Sequence, residues 1–532
     1  MQPNFLWGAS TSSYQVEGGI SNNDWDFFTR NEKIKERISK ITKPSRIYKG
    51  NSQINLEPAG NAVNSWLPKY YFRDFFLAKK LGLNSMRISI EWSRIEPLRG
   101  VWDNEAIHHY KQMIKCMREL GLNPVVTLNH TTLPLWVLSP PIEFKKKIFQ
   151  YFLFSPLREL PLGEPVNDDP FWSSLRGWEN TETVDEYIQY VIKIVSEFKD
   201  QVDYWITIGE PIASIIGGGY LAGIWPPGFF LDGKRTKIVI HNLIEAHVQA
   251  YNVIHEIDDY DADGDGISKK VGFTHLMPSV NPLKSYHIFN KNNIEATKKF
   301  SYFTNDYFIN AVVKGEEDVH YLESCEIKNI KNNKFIFHSN WKDKTDFIGL
   351  DYYRRIHIYQ SIIVSLSSAK FIGGIFKNNA DRNDEILSSL SDLGWEIYSN
   401  GLFDILIHIK KTWNKPILIT ENGVADQNDK IRAKFIIDHI QEVKRAIDED
   451  VDVIGYLHWS LMDNYEWHEG FNEKGKFGLF SIDFKNKDLN TKYERNFTNG
   501  EAAYQFLINN IGYGINKKEF VETLSTARAK FT

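Results

Sequence analysis

Eight short apolar runs rich in β-branched residues recur along the chain, at residues 5–9, 85–90, 124–128, 204–208, 271–275, 347–351, 417–420 and 453–457. A half-exposed strand alternates polar and apolar residues. These runs do so only weakly and suit strands covered on both faces. Between them lie stretches with apolar residues at helical spacing, at residues 66–81, 104–120, 184–199, 237–256, 294–313, 395–411, 430–448 and 501–511. Gly82 and Gly121 supply stop signals for the first two. Eight strand-then-helix units require parallel pairing with crossover helices. They predict an α/β architecture, a (β/α)8 TIM barrel with long βα loops. No linker rich in Gly, Pro or Ser divides the chain, so residues 1–532 read as one domain. The longest polar insertions, residues 10–64, 140–177 and 358–392, follow strands and would rise around the carboxyl-end face.

Two of the runs end on glutamates, Glu210 after Trp205-Ile206-Thr207-Ile208-Gly209 and Glu421 after Ile417-Leu418-Ile419-Thr420. An unpaired carboxylate in a packed interior costs several kcal/mol or shifts its pKa. At the carboxyl end of a barrel strand it faces the side where such folds keep their chemistry. Two such groups, distant in sequence, make a candidate carboxylate pair assembled by the fold.

Composition narrows the function classes. With 42% hydrophobic and 14% aromatic residues the chain can bury a large core. The aromatic side chains also offer flat faces for sugar rings. The net charge of −5, with Lys and Arg scattered, leaves no basic stripe for nucleic acid. Two cysteines, Cys116 and Cys325, are too few for a disulfide scaffold and read as reduced thiols. The amino terminus lacks a basic segment followed by an apolar one, and no run is long enough to span a bilayer. A cytoplasmic location is expected. Asp261-Ala262-Asp263-Gly264-Asp265-Gly266 resembles the start of a calcium loop, but the twelfth position is Gly272 rather than a bidentate glutamate. A surface turn is the better reading, and neither metal nor cofactor is expected.

Further runs accompany the two glutamates: residues 5–18, Met86-Arg87-Ile88-Ser89-Ile90-Glu91-Trp92-Ser93-Arg94-Ile95, Thr127-Leu128-Asn129-His130, Asp351-Tyr352-Tyr353, and His458-Trp459-Ser460-Leu461-Met462-Asp463-Asn464-Tyr465-Glu466-Trp467. In this order and spacing the chain resembles glycoside hydrolase family 1, the retaining β-glycosidases, over nearly its whole length. The last run is most similar to the archaeal branch. The resemblance implies Glu421 as nucleophile and Glu210 as acid/base, with Arg87 and Tyr353 bonded to Glu421. It also implies a glycone subsite of Gln15, His130, Gly209, Trp459, Glu466 and Trp467. Retention needs the two carboxyl groups about 5–5.5 Å apart. An acidic Glu466 beside the 4- and 6-hydroxyls would disfavour a 6-phosphate.

Two positions depart from the family pattern. Gly209 stands where the family has an Asn that contacts the sugar 2-hydroxyl, and Asp351 stands where it has an Asn. Both bear on efficiency and glycone choice. The expected function is a cofactor-free exo-β-glycosidase acting on β-glucosides or β-galactosides. The alternatives are a transglycosylase using a lipid or alcohol acceptor, and a non-catalytic carbohydrate-binding protein. The partner is a small-molecule β-glycoside, with a hydrophobic aglycone if residues 143–160 and 361–376 form an apolar rim. Burial of those segments, or membrane-surface contact for the first, are the other readings.

Overall fold

The computed structural model describes residues 5–42, 56–138, 142–143, 164–165, 175–283, 287–324, 335–377, 390–488, 491–511 and 517–531. Its centre is a closed barrel of eight parallel strands. These are β1 (Leu6–Ser10), β2 (Ser85–Ser89), β3 (Asn123–Asn129), β4 (Tyr204–Gly209), β5 (Lys270–Leu276), β6 (Phe347–Tyr352), β7 (Ile417–Asn422) and β8 (Val453–Trp459). Each pairs with its neighbours in chain order, and β1 closes the ring against β8. Every apolar run predicted as a strand is one, and almost every strand residue is buried, as two-sided covering requires.

The covering helices are α1 (Pro68–Leu81), α2 (Asn104–Glu119), α3 (Thr181–Phe198), α4 (Gly233–Ile257), α5 (His287–Ser301), α6 (Ser399–Trp413), α7 (Arg432–Asp448) and α8 (Asn499–Ile511). Local chemistry fixes several ends. Asp103, Asn180 and Asp232 accept backbone N–H groups in the first turns of α2, α3 and α4. Gly82 ends α1 at φ +95°, a conformation costly for any residue with a Cβ. Leu6, Val125, Tyr204, Ile206, Phe347, Leu418 and Leu457 fill the barrel interior. A larger apolar layer lies between strands and helices.

The helix predicted over 294–313 is not uniform: α5 passes into π-helical turns at Tyr302–Asp306 and Asn310–Lys314. The predicted first turn of α6 is displaced to Ser399. Glu396 is held by Arg355 and His357, which keeps residues 395–398 out of the helix. A last helix, α9 (Lys517–Phe531), buries Phe520, Leu524 and Ala527.

The loops after β5 and β6 build a small three-stranded sheet of Ser279–Pro282, Arg355–Gln360 and Gly374–Lys377. Within residues 361–376, Val364, Phe371 and Ile372 are buried, whereas Ile362 and Leu366 are 78% and 68% exposed. Most of residues 143–160, and Cys325, lie outside the described residues. Cys116 is a buried free thiol. No described helix is long and apolar enough to cross a membrane.

Candidate active site

At the carboxyl ends of β4, β6 and β7, three carboxyl groups converge. Glu210, Asp351 and Glu421 each place an oxygen within 4.8 Å of the other two. The barrel dictates this, because β6 and β7 are adjacent and Asp351 is the register partner of Glu421.

Glu421 is the penultimate residue of an entirely buried strand and is only 4% exposed. Arg87, from β2, donates through Nη1 to its Oε1 at 2.5 Å, and Tyr353 donates through Oη to Oε2 at 2.6 Å. Arg87 is itself fully buried, with Nε bonded to Thr127 Oγ1 at 2.9 Å and Nη2 at 3.2 Å from His130 Nδ1. A guanidinium can only donate, so His130 Nδ1 accepts and its proton sits on Nε2. Burial, and then Arg87, hold the His130 imidazole well below its usual pKa, so the ring is neutral.

Glu210 is built differently. Its backbone is left-handed, at φ +46° and ψ 55°, a conformation that costs a non-glycine residue about 1–3 kcal/mol. Its N–H bonds to Thr274 O at 3.0 Å, which fixes the turn out of β4. The π-helix Pro211–Leu221 begins immediately after it and brings Ser214 Oγ to donate to Glu210 Oε2. No guanidinium hydrogen-bonds its carboxyl among the described residues. Asp351 Oδ1 accepts from Thr420 Oγ1 at 2.6 Å, and its buried Oδ2 has no hydrogen-bond partner among the described residues.

Burial raises all three acids, Glu210 and Asp351 to about 7 and Glu421 to about 8. Like charge adds to it, from Glu421 on Glu210, Glu210 on Asp351, and Asp351 on Glu421. Protons in such a cluster belong to the group as a whole. Geometry decides where the charge rests. Glu421 alone has a guanidinium bonded to one oxygen and a hydroxyl bonded to the other, so the anion is best held there. The three oxygens could also face a divalent cation, but Arg87 already supplies positive charge at that place. On the amino-terminal side, Asp203, Asp261 and Asp263 also cluster. Their oxygens are taken by turn N–H groups, Arg118 and Lys270, in keeping with a surface turn.

An aromatic wall borders the cluster. The His130 ring lies parallel to Trp459 and Trp467, with centroids 6.2 and 6.1 Å away. Glu466 is buried, and burial together with Glu469, Glu421 and Glu210 pushes its carboxyl well above the usual range. Gln15 is fully buried with both ends engaged: Nε2 donates to Tyr465 O and Asn464 Oδ1, and Oε1 accepts from Ser12. Gly209 has ordinary space above it, since a Cβ there would meet Asn129 O at 3.4 Å and His130 Nδ1 at 3.5 Å. On the other side, Tyr353 packs edge-on to Trp395, and the Arg354 guanidinium lies over Trp395 and Phe376.

The sequence reading missed Ser214 and Arg354. The i+4 spacing from Glu210 is a signal for Ser214, but only for regular helix. Arg354 follows the Tyr352-Tyr353 pair and carried no pattern of its own. Its charge faces Glu210.

The family model for Glycosyl hydrolase family 1 matches residues 1–152 and 173–512. A β-galactosidase of Pyrococcus woesei is 29% identical, the alignment covering 91% of this chain and 93% of that one. β-Glucosidase A of Thermotoga maritima is 28% identical over 90% of this chain and 92% of its own. Among solved structures, the β-glycosidase from Pyrococcus horikoshii superposes with a TM-score of 0.69 at 26% identity, covering 98% of this chain and 99% of that one. With the barrel and its strand-end carboxyls in hand, the chain belongs to glycosyl hydrolase family 1 and is a glycoside hydrolase of the β-glucosidase/β-galactosidase type.

Proposed function

We propose that the protein is a retaining exo-β-glycosidase for β-glucosides or β-galactosides. The observation that carries this reading is the spacing of Glu210 and Glu421, whose nearest oxygens lie within 4.8 Å. Retaining enzymes hold the pair about 5–5.5 Å apart, whereas inverting ones leave roughly 6.5–9.5 Å for a water.

In the first step Glu421 attacks the anomeric carbon, and the bond to the aglycone oxygen breaks. Glu210 gives that oxygen its proton. Arg87 and Tyr353 fix the attacking carboxylate, which removes the entropy of aiming it. Esterification consumes the Glu421 charge, so the like-charge contribution at Glu210 disappears and its pKa falls. Glu210 is then a carboxylate able to take a proton from water as the water attacks the same carbon from the face the aglycone left, and the bond from that carbon to Glu421 breaks, returning its carboxylate. His130 offers its Nε2–H to a glycone hydroxyl, and Trp459 and Trp467 offer flat faces. A 6-phosphate would bring negative charge against Glu466, Glu469 and the carboxyl cluster, so an unphosphorylated glycone is preferred.

The rim of Tyr353, Trp395, Arg354 and Phe376 favours an aryl or alkyl aglycone. The same rim would receive an alcohol in place of water, so transfer to alkyl acceptors is the second reading. Proton NMR of an aryl β-glucoside digest tests the mechanism: the β-anomer must appear first and mutarotate afterwards. Initial release of the α-anomer would refute it.

A further inference from the structure

We propose that Asp351 and Glu210 hold the acid/base proton as one unit, with Asp351 a positioning residue for that proton. The proposal rests on Glu210 being the acid/base. It starts from an oxygen that has no accounted role. Asp351 is fully buried, Oδ1 is satisfied by Thr420, and Oδ2 has no hydrogen-bond partner among the described residues. A bare carboxylate oxygen in such a place is costly, whereas a protonated one becomes a donor to a neighbouring carboxylate. The groups facing Asp351 are Arg87 from β2, Glu210 after β4, Thr274 from β5 and Thr420 from β7, with Glu421 across the β6–β7 register.

Arg87 is bonded to Glu421, so Glu421 takes the charge that the guanidinium compensates. Asp351 and Glu210 are left to share a proton, because two like charges so close cannot both ionise readily. When Glu210 delivers the shared proton to the departing oxygen, Glu421 gives up its charge to the new ester in the same step, so the three carboxyls carry the same total charge before and after. Glu210 then takes a proton from water, the bond to Glu421 breaks, and the pair again holds one proton. The part of ionised Asp351 is to keep the acid protonated at higher pH.

The test is the pH profile of kcat/KM on an alkyl β-glucoside, whose poor leaving group needs the proton. Asp351→Asn removes the like charge, so the basic limb should move to lower pH by about one unit. Thr420→Val removes the donor to ionised Asp351 and should move the limb the other way. It serves as the second measurement if Asp351→Asn fails to fold. Glu210→Gln separates the two ideas. If it keeps full activity on the alkyl glucoside, the acid/base reading itself is wrong. If it is inactive there while the basic limb stays fixed in the Asp351 or Thr420 variant, only the shared-proton proposal is overturned.

Discussion

Glu210 and Glu421 are the same residue type at the same kind of place, and their surroundings set them apart. Glu421 accepts from a buried guanidinium and a phenol, while Glu210 accepts from one serine and sits on a strained turn. The first arrangement stabilises an anion, and the second leaves a carboxyl free to gain and lose a proton. Gly209, directly before Glu210, brings no side chain to the site. Its backbone is not left-handed and ordinary space lies above it, so neither strain nor crowding demands glycine. Gly209→Asn should therefore fold and supply a new hydrogen bond to the 2-hydroxyl. That bond is worth on the order of 1 kcal/mol, or several-fold in rate. The check is kcat/KM for an aryl β-glucoside divided by that for its 2-deoxy analogue. The ratio should rise in the variant, and an unchanged ratio would show that the 2-hydroxyl is out of its reach.

At the scale of elements, the barrel was legible because each strand is short, β-branched and covered on both faces, and each helix keeps one apolar stripe. The carboxylate pair was legible for the same reason, since an acid at the end of such a run has no apolar use. What escaped was conformation that tertiary contacts impose. Residues 302–314 have helical spacing, yet they wind in part as π-helix. Residues 395–398 have helical propensity, but the Glu396 pairs with Arg355 and His357 override it. Ser214 reaches Glu210 within a π-helix, whose turn a 3.6-residue pattern does not describe. The helix α9 went unread, although Phe520, Leu524 and Ala527 lie at i, i+4 and i+7. Gln15, expected in the glycone subsite, also ties the loop after β1 to residues 464–465 after β8, which its place in the sequence did not announce. Sequence spacing says which loop a residue is on, not how many partners the loop itself gives it.

Across the whole molecule, buried titratable groups of two kinds act on stability in opposite senses as pH changes. His247, His275, His439 and His468 are lowered to about 4 and His458 to about 3, mainly by burial. A group with a depressed folded pKa is at full advantage above its unfolded value, about 6.5 for histidine, and costs stability as pH falls below that. Glu17 and Asp24, raised by burial to about 7 and about 8, act in the other sense. Their contribution is complete below the unfolded carboxyl range of about 4 and is lost as pH climbs through 7 to 8. Glu210, Asp351 and Glu421 add to this loss. Above about pH 6.5 the histidine contribution is complete while the carboxyl contribution is still being lost, so the melting temperature should fall from pH 6.5 to pH 8.5. A scanning-calorimetry series over that range checks it, and a melting temperature rising steadily to pH 8.5 would contradict it.

In the proposed mechanism Glu421 attacks and Glu210 handles the proton. Glu421→Ala, assayed on an aryl β-glucoside with and without azide, tests it most directly. Turnover should be lost by a factor of about 10⁴ or more, and azide should restore it while giving the α-glycosyl azide, because a small anion takes the place of the missing carboxylate. Near-native turnover by Glu421→Ala without azide, or a β-glycosyl azide as its product, would contradict the account.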